Sequence, residues 1–254
     1  MNKEELLKYW LHEEEIAHIH GWDFSHIRGK YEEGNDLSWD YREIIKKYLS
    51  PDMKLLDIDT GGGEFLLSLQ HPNHNLAATE SYPPNVELCK DVLLPLGIDF
   101  KEADGCDDRY PFADQSFDMV INRHGEFNAK EIWRILKPGG LFITQQVGAE
   151  NDRELVELLL REVPPLPFPR QYLEIIQREF EDIGFTTIEA QEAYGPICFY
   201  DVGALVWFAK VIPWEFPDFN VWDCAEKLYR AQEILESKGV IQGRTHRFLL
   251  CVRK

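Results

Sequence analysis

LLDIDTGGGEFLLSL, residues 55–69, passes from an apolar strand-like stretch through three consecutive glycines into a helix-like one. Glycines at such a junction let the backbone turn sharply and let a ligand approach without meeting a Cβ. Working outward, NLAAT (75–79), IDFKEA (98–103), FDMVIN (117–122) and LFITQQV (141–147) read as further strands, with helical stretches between them. The runs at 117–122 and 141–147 are apolar without clean alternation, the pattern of parallel strands covered on both faces. Helix starts fall where crossovers need them: Pro83-Pro84-Asn85, Asn128 with Glu131, and Asn151 with Glu154. The turn Lys137-Pro138-Gly139-Gly140 launches the fifth strand. Strand, helix and strand in alternation predict an α/β, doubly wound, mostly parallel sheet.

GFTTIEAQEAY (184–194) and HRFLLCVRK (246–254) bring the expected strands to seven. The segment between them is far longer than the ~2–5 residues of a hairpin loop. It holds two helix-like stretches joined by the Pro- and Trp-rich PWEFPDFN, and reads as a helical insertion before the last strand. At the other end, Leu6, Leu7, Trp10 and Leu11 have near-helical spacing in a helix expected to end near Gly21, and a short helix is expected from Ser38 to Leu49. The expected organisation is an N-terminal helical cap (1–50), an α/β core (51–194), a helical insertion serving as a lid (195–245) and a last core strand (246–254).

Composition narrows the class of protein. Of 254 residues, 44% are hydrophobic and 28% charged, close to globular averages, so neither disorder nor a membrane protein is indicated. The N-terminus lacks a basic segment followed by an apolar one, so a cytoplasmic protein is expected. The five cysteines show no CxxC pairing and read as reduced structural thiols. No metal is expected: His18 and His20 lie two apart and diverge on a helix, and His12 and His26 add no ligand spacing. A net charge of −18 weighs against nucleic acid as a partner, because its phosphates need clustered cations.

The chemistry-bearing residues sit at strand ends. Asp57 lies in the first core strand, Glu80 closes the second and Asp104 the third, and in a doubly wound sheet such ends line one crevice. A dinucleotide fingerprint would require glycine three positions after Gly63, where Leu66 stands. Successive acids instead suit a ligand with an ammonium, two ribose hydroxyls and an exocyclic adenine amine, all donors. S-adenosylmethionine (SAM) has those groups.

On these residues, with PFADQSFDMVINRH and the KPGG turn, the chain resembles the class I SAM-dependent methyltransferases over about residues 53–147. The resemblance implies a Rossmann-like methyltransferase fold. It implies that Asp57, Asp59, Thr60, Gly61 and Gly63 hold the methionine end and Glu80 the ribose hydroxyls. Asp104 would meet the adenine amine, with Ser81 and Gly105 beside these acids, and Asn122 to His124 would line the floor. Asp59 departs from the pattern, since the family loop usually carries glycine there; its side chain crowds the methionine moiety or adds an acceptor for its ammonium.

Arg123, His124 and Glu126 are the catalytic candidates, His124 as general base or substrate orienter with Glu126 supporting it; the plain alternative is an Arg123–Glu126 ion pair shaping the loop. Trp22, Trp39 and Tyr41 could wall the substrate site or simply pack the N-terminal helices. The expected function is methyl transfer from SAM to a small-molecule acceptor. A nucleic-acid or protein methyltransferase on the same core, and a non-catalytic SAM-binding module, stay open.

Overall fold

A computed structural model describes residues 1–19, 23–34 and 37–254. The first elements are α1 (Lys3–Glu15), β1 (Tyr31–Glu33), α2 (Tyr41–Tyr48), β2 (Leu55–Ile58) and α3 (Glu64–Ser68). Next come β3 (Leu76–Glu80), α4 (Pro83–Val92), β4 (Asp99–Glu102), β5 (Phe117–Arg123), α5 (Ala129–Ile135) and β6 (Leu136–Val147). The chain ends with α6 (Arg153–Leu159), α7 (Leu173–Ile183), β7 (Thr186–Phe199), α8 (Val202–Val211), α9 (Val221–Lys238) and β8 (Ile241–Arg253). No helix among the described residues is long and apolar enough to cross a membrane.

Eight strands, one more than the sequence predicts, follow the order β1-β7-β8-β6-β5-β2-β3-β4. The pairs β2/β3, β2/β5, β3/β4 and β5/β6 are parallel, while β6/β8 and β1/β7 are antiparallel. The additional strand is Tyr31–Glu33, paired with Phe199–Ile197. Three residues are too few to show a period of two, and β7 runs five residues past its expected end, which creates the edge that β1 covers.

The chain forms two compact units, whose boundaries differ from the expected cap, core and lid. One comprises residues 38–148, 170–193 and 247–254, so α2 belongs with the glycine-rich segment. Its core packs Leu56, Ile58, Val120, Phe142, Phe180 and Phe248, with Phe142 stacked on Phe180 at 5.1 Å between ring centroids. Each buried Phe of this kind stabilises the fold by about 1.5–3 kcal/mol. α2 starts at Asp40, whose carboxylate accepts the Glu43 N–H at 3.1 Å, and α5 at Asn128, whose side chain accepts from Lys130 and Glu131.

The other unit comprises 1–37, 149–169 and 194–246. α1 ends at Glu15, earlier than expected, and Ile16 is its C-cap. α8 is apolar at every position but the exposed Lys210 and is otherwise buried, Trp207 and Phe208 included. Asn151 does not cap α6: the cap position is Asp152, at φ +56°, and the Asn151 side chain instead accepts the His246 N–H and donates to Asp152.

Candidate functional site

The site is described within the unit that contains the glycine loop. Because β2, β3, β4, β5 and β6 run parallel, their carboxyl ends share one edge of the sheet, with Ile58 beside Asn122, Glu80 beside Glu102 and Arg123 beside Gln145. Side chains following those ends therefore converge without any special arrangement.

The loop after β2 is held by its own polar groups. Thr60 donates its backbone N–H to the Thr79 carbonyl at 2.9 Å and its hydroxyl to Asp57 Oδ2 at 2.7 Å. Gly61 has φ +65° and Gly63 φ +84°, backbone that other residues rarely adopt. Where a Cβ on Gly61 would point there is open space, whereas one on Gly63 would strike Leu93 at 2.8 Å. Gly61 is thus open for ligand approach, and Gly63 serves packing.

Glu80 is buried and fastens this loop. Its Oε2 accepts the Gly61 N–H at 2.8 Å and Asn85 Nδ2 at 3.3 Å, and its Oε1 accepts the Ser81 and Tyr82 N–H groups, each at 2.9 Å. Four bonds occupy the roughly four acceptor positions of a carboxylate. The long Asn85 contact is the one that yields most easily to a competing donor.

Asp57 and Asp59, on either side of Ile58, both have raised carboxyl pKa values. Burial lifts the Asp57 carboxyl to about 7, against the Thr60 hydrogen bond and the Arg123 charge, with Glu80 adding repulsion. Burial also lifts Asp59 to about 7, followed by repulsion from Glu80 and Asp104 and opposed by the Gly105 N–H. Asp59 has φ +54°, and its Oδ1 is buried with no hydrogen-bond partner among the described residues. A Cβ on Gly105 would lie 2.7 Å from Asp59 Oδ2, and one on Gly125 2.6 Å from the same oxygen. Those two glycines make the room that this carboxylate fills.

Asp104 behaves oppositely. The Cys106 thiol and backbone N–H donate to its Oδ1, each at 2.9 Å, and Ser81 Oγ to its Oδ2 at 3.2 Å, which holds the carboxyl below its usual range. The same bond, then burial and Glu126, push the Cys106 thiol up to about 12. Ligand atoms of Asp104, Cys106 and Glu126 lie within 4.8 Å of one another, so Glu126 turns toward this acidic group.

Beyond β5 the chemistry changes. Asn122 is fully buried and its side chain is committed: Nδ2 donates to the Ile58 carbonyl at 3.1 Å, and Oδ1 accepts from Gln146 Nε2 at 2.5 Å and Thr144 Oγ1 at 3.3 Å. It builds the floor through these bonds. Asn122→Ala is expected to lower the unfolding free energy by about 1–3 kcal/mol, because the Ile58 carbonyl and the Thr144 hydroxyl lose buried partners. A urea transition with an unshifted midpoint would contradict that role.

His124, at φ +64°, is exposed at the carboxyl end of β5. Desolvation, then Arg247 and Arg123, depress its imidazole to about 3, so it is neutral at physiological pH. The hydrogen bonds assign its tautomer. Trp39 Nε1–H can only donate, and it donates to Gln145 Oε1 at 2.8 Å; Gln145 therefore presents its NH2 to His124 Nε2 at 3.3 Å. The proton of a neutral His124 then resides on Nδ1. Nε2 then accepts from Gln145, and Nδ1–H is left as a donor. Among the described residues no ion pair joins Arg123 to Glu126; the Arg123 guanidinium lies 4.7 Å from the Phe65 ring centroid instead.

Trp39 and Tyr41 are buried, and Tyr41 donates its hydroxyl to the Asn122 and Ile143 carbonyls at 2.9 and 3.2 Å while its ring stacks on Phe65. These bonds secure α2 to the sheet. Trp22 and His20 lie outside the described residues. Sequence reasoning missed Thr144, Gln145, Gln146 and Arg247. The signal for the first three was present: TQQ is a polar run at the carboxyl end of an otherwise apolar buried strand.

Residues 56–144 match the family model described as a methyltransferase domain. Demethylmenaquinone methyltransferase from Thermus thermophilus is 28% identical over 121 residues, 43% of this chain and 54% of the relative, so the chain spans about half that relative's length. A candidate methyltransferase from Bacillus halodurans superposes with a TM-score of 0.56 at 16% identity, covering 85% of this chain and 98% of its own. The YcgJ protein of Bacillus subtilis gives 0.54 at 16%, covering 84% and 97%. The [4+2]-cyclase SpnF gives 0.50 at 17%, covering 98% and 93%. At such identities the superpositions establish the fold alone, and the match over residues 56–144 is to a methyltransferase domain.

Proposed function

We propose that the protein transfers a methyl group from SAM to a small-molecule acceptor. The observations that carry this are the buried Asp59 Oδ1, without a hydrogen-bond partner among the described residues, and the open space over Gly61, with Asp57, Glu80 and Asp104 at neighbouring strand ends. An acceptor-rich crevice of this kind fits a donor-rich cation. Asp57, Asp59, Thr60 and the Gly61 backbone would hold the methionine end, Glu80 the ribose hydroxyls, and Asp104 with Ser81 the adenine side. SAM, when bound, supplies a methyl group on a sulfonium leaving group. The chain's own part is then to hold an acceptor in line and exclude water, with a base needed only if the attacking atom must lose a proton. His124, neutral and accepting at Nε2, supports orientation and not proton removal.

Asp59 also favours a second reading, binding without transfer, because a buried carboxyl occupies a loop position the family usually leaves to glycine. Methyl transfer to any acceptor in a metabolite extract with isotope-labelled SAM would remove it.

Calorimetry is expected to give saturable heats for SAM and S-adenosylhomocysteine and none for NADH. Heat from NADH with none from SAM would overturn the proposed function.

A further inference from the structure

Four carboxylates stand at or just after the ends of β2, β3 and β4, and three of them have their charge answered. Asp57 accepts the Thr60 hydroxyl and is offset by the Arg123 charge. Glu80 accepts from Gly61, Asn85, Ser81 and Tyr82. Asp104 accepts from Cys106 and Ser81. Asp59 is the fourth, and its buried Oδ1 has no hydrogen-bond partner among the described residues. The Gly105 N–H is the donor that supports it.

The groups acting most strongly on this carboxyl are themselves acids. Glu80 repels it from the end of β3, Asp104 from the turn after β4 and Asp57 from β2, and the Tyr110 hydroxyl faces it as well. Its Oδ2 fills a fitted niche, because a Cβ on Gly105 would lie 2.7 Å from that oxygen and one on Gly125 2.6 Å. Burial and then this repulsion lift the carboxyl to about 7, the mark of a missing counter-charge. A cation entering the crevice relieves that repulsion, and a neutral ligand does not.

We infer that Asp59 sets the charge selectivity of the crevice, holding a ligand with a cationic sulfur more tightly than the same ligand with a neutral one. That the two ligands are SAM and S-adenosylhomocysteine rests on the proposed function. In the transfer, a lone pair of the acceptor forms the new bond to the methyl carbon, and the S–CH3 bonding pair stays on sulfur. Sulfur thereby passes from sulfonium to neutral thioether, and the positive charge leaves with the methyl group. The crevice then grips the donor and lets go of the spent product. Attraction between unit charges several Å apart, at the screening found near a protein surface, is worth about an order of magnitude in affinity. Asp59 is a specificity-determining residue, acting on the charge of the ligand and not on the bond that breaks.

The test titrates the full chain with SAM, S-adenosylhomocysteine and sinefungin by calorimetry at pH 5 and pH 8. Sinefungin carries an amine where SAM has the sulfonium methyl, so it supplies the charge without the transfer. At pH 8 both cationic ligands are expected to bind at least tenfold tighter than S-adenosylhomocysteine. The preference should shrink at least threefold at pH 5, where Asp59 holds its proton. A sulfonium does not titrate and the amino-acid end is common to all three ligands, so the change in SAM preference reports on the protein. Asp59→Asn should lower the pH 8 preference at least threefold and remove most of its pH dependence, which a merely structural role would not do. S-adenosylhomocysteine bound as tightly as SAM at pH 8, an equal preference at both pH values, or wild-type preference in Asp59→Asn would overturn the inference. If the variant fails to fold, the wild-type preference at the two pH values decides. Binding of both SAM and S-adenosylhomocysteine without preference sinks this inference and leaves the proposed function standing, whereas binding of neither sinks both.

Discussion

Glu80→Ala is expected to weaken S-adenosylhomocysteine binding roughly 10- to 150-fold, the equivalent of about 1.5–3 kcal/mol for hydrogen bonds to a charged group. The upper end is expected, because the carboxylate does two jobs at once. In the proposed function it takes the ribose hydroxyls, and through the Gly61, Ser81 and Tyr82 N–H groups it also holds the glycine loop against the end of β3. Removing it leaves these three N–H groups and the Asn85 amide without their acceptor and frees the glycine loop. Glu80→Gln should fall between wild type and alanine, since its single carbonyl can accept from only one side of the loop and its NH2 confronts the other. Calorimetry reads the affinity and circular dichroism the fold. An unchanged dissociation constant with an unchanged spectrum would reject both parts of the role.

Asp59→Gly is expected to stabilise the protein, and more so at pH 8 than at pH 5. The folded-state carboxyl titrates at about 7 instead of 3.8, so between those values the folded chain binds more protons than the unfolded one. Stability linked to this group is fully present below about pH 4 and is lost as pH rises through about 7. A shift of that size corresponds to about 4 kcal/mol if the site were isolated. Coupling to Asp57, Glu80 and Asp104 and partial solvent contact reduce this to about 2–3 kcal/mol at pH 8. Glycine adds a smaller gain by accepting φ +54° without strain, roughly 1 kcal/mol. Urea melts of both proteins at the two pH values check this. Equal stabilities at pH 8, or a difference that grows toward pH 5, would mean the carboxylate has found a partner that neutralises its cost.

The parts of the fold that follow from local pattern were readable. The strands around 55–58, 76–80 and 117–123 announce themselves by apolar runs, and Asp40, Asn128 and Pro83 mark helix starts whose chemistry is local. β1 was not readable, because its existence depends on an edge that another strand creates 164–168 residues later. The same division holds in the site. Asp57, Glu80 and the glycine loop declare themselves by position after strands. The tautomer of His124 depends on Gln145, and the orientation of Gln145 depends on Trp39, 106 residues away, a relation no spacing encodes. Tyr41 looked like a substrate contact because it is aromatic and near the loop; its hydroxyl is spent on two carbonyls that only the folded sheet brings together.

Asp59 has a consequence at the level of the gene. Glycine codons GGU and GGC become aspartate codons GAU and GAC by one change of the middle base. The left-handed bend that houses a buried, repelled carboxyl is therefore a single transition away from the residue that relieves it. Random mutagenesis screened for heat resistance alone should return Asp59→Gly early. The same library screened for heat resistance and retained ligand capture should lose that variant if the carboxyl serves the ligand, so the ratio of its frequencies in the two screens measures what this aspartate is kept for.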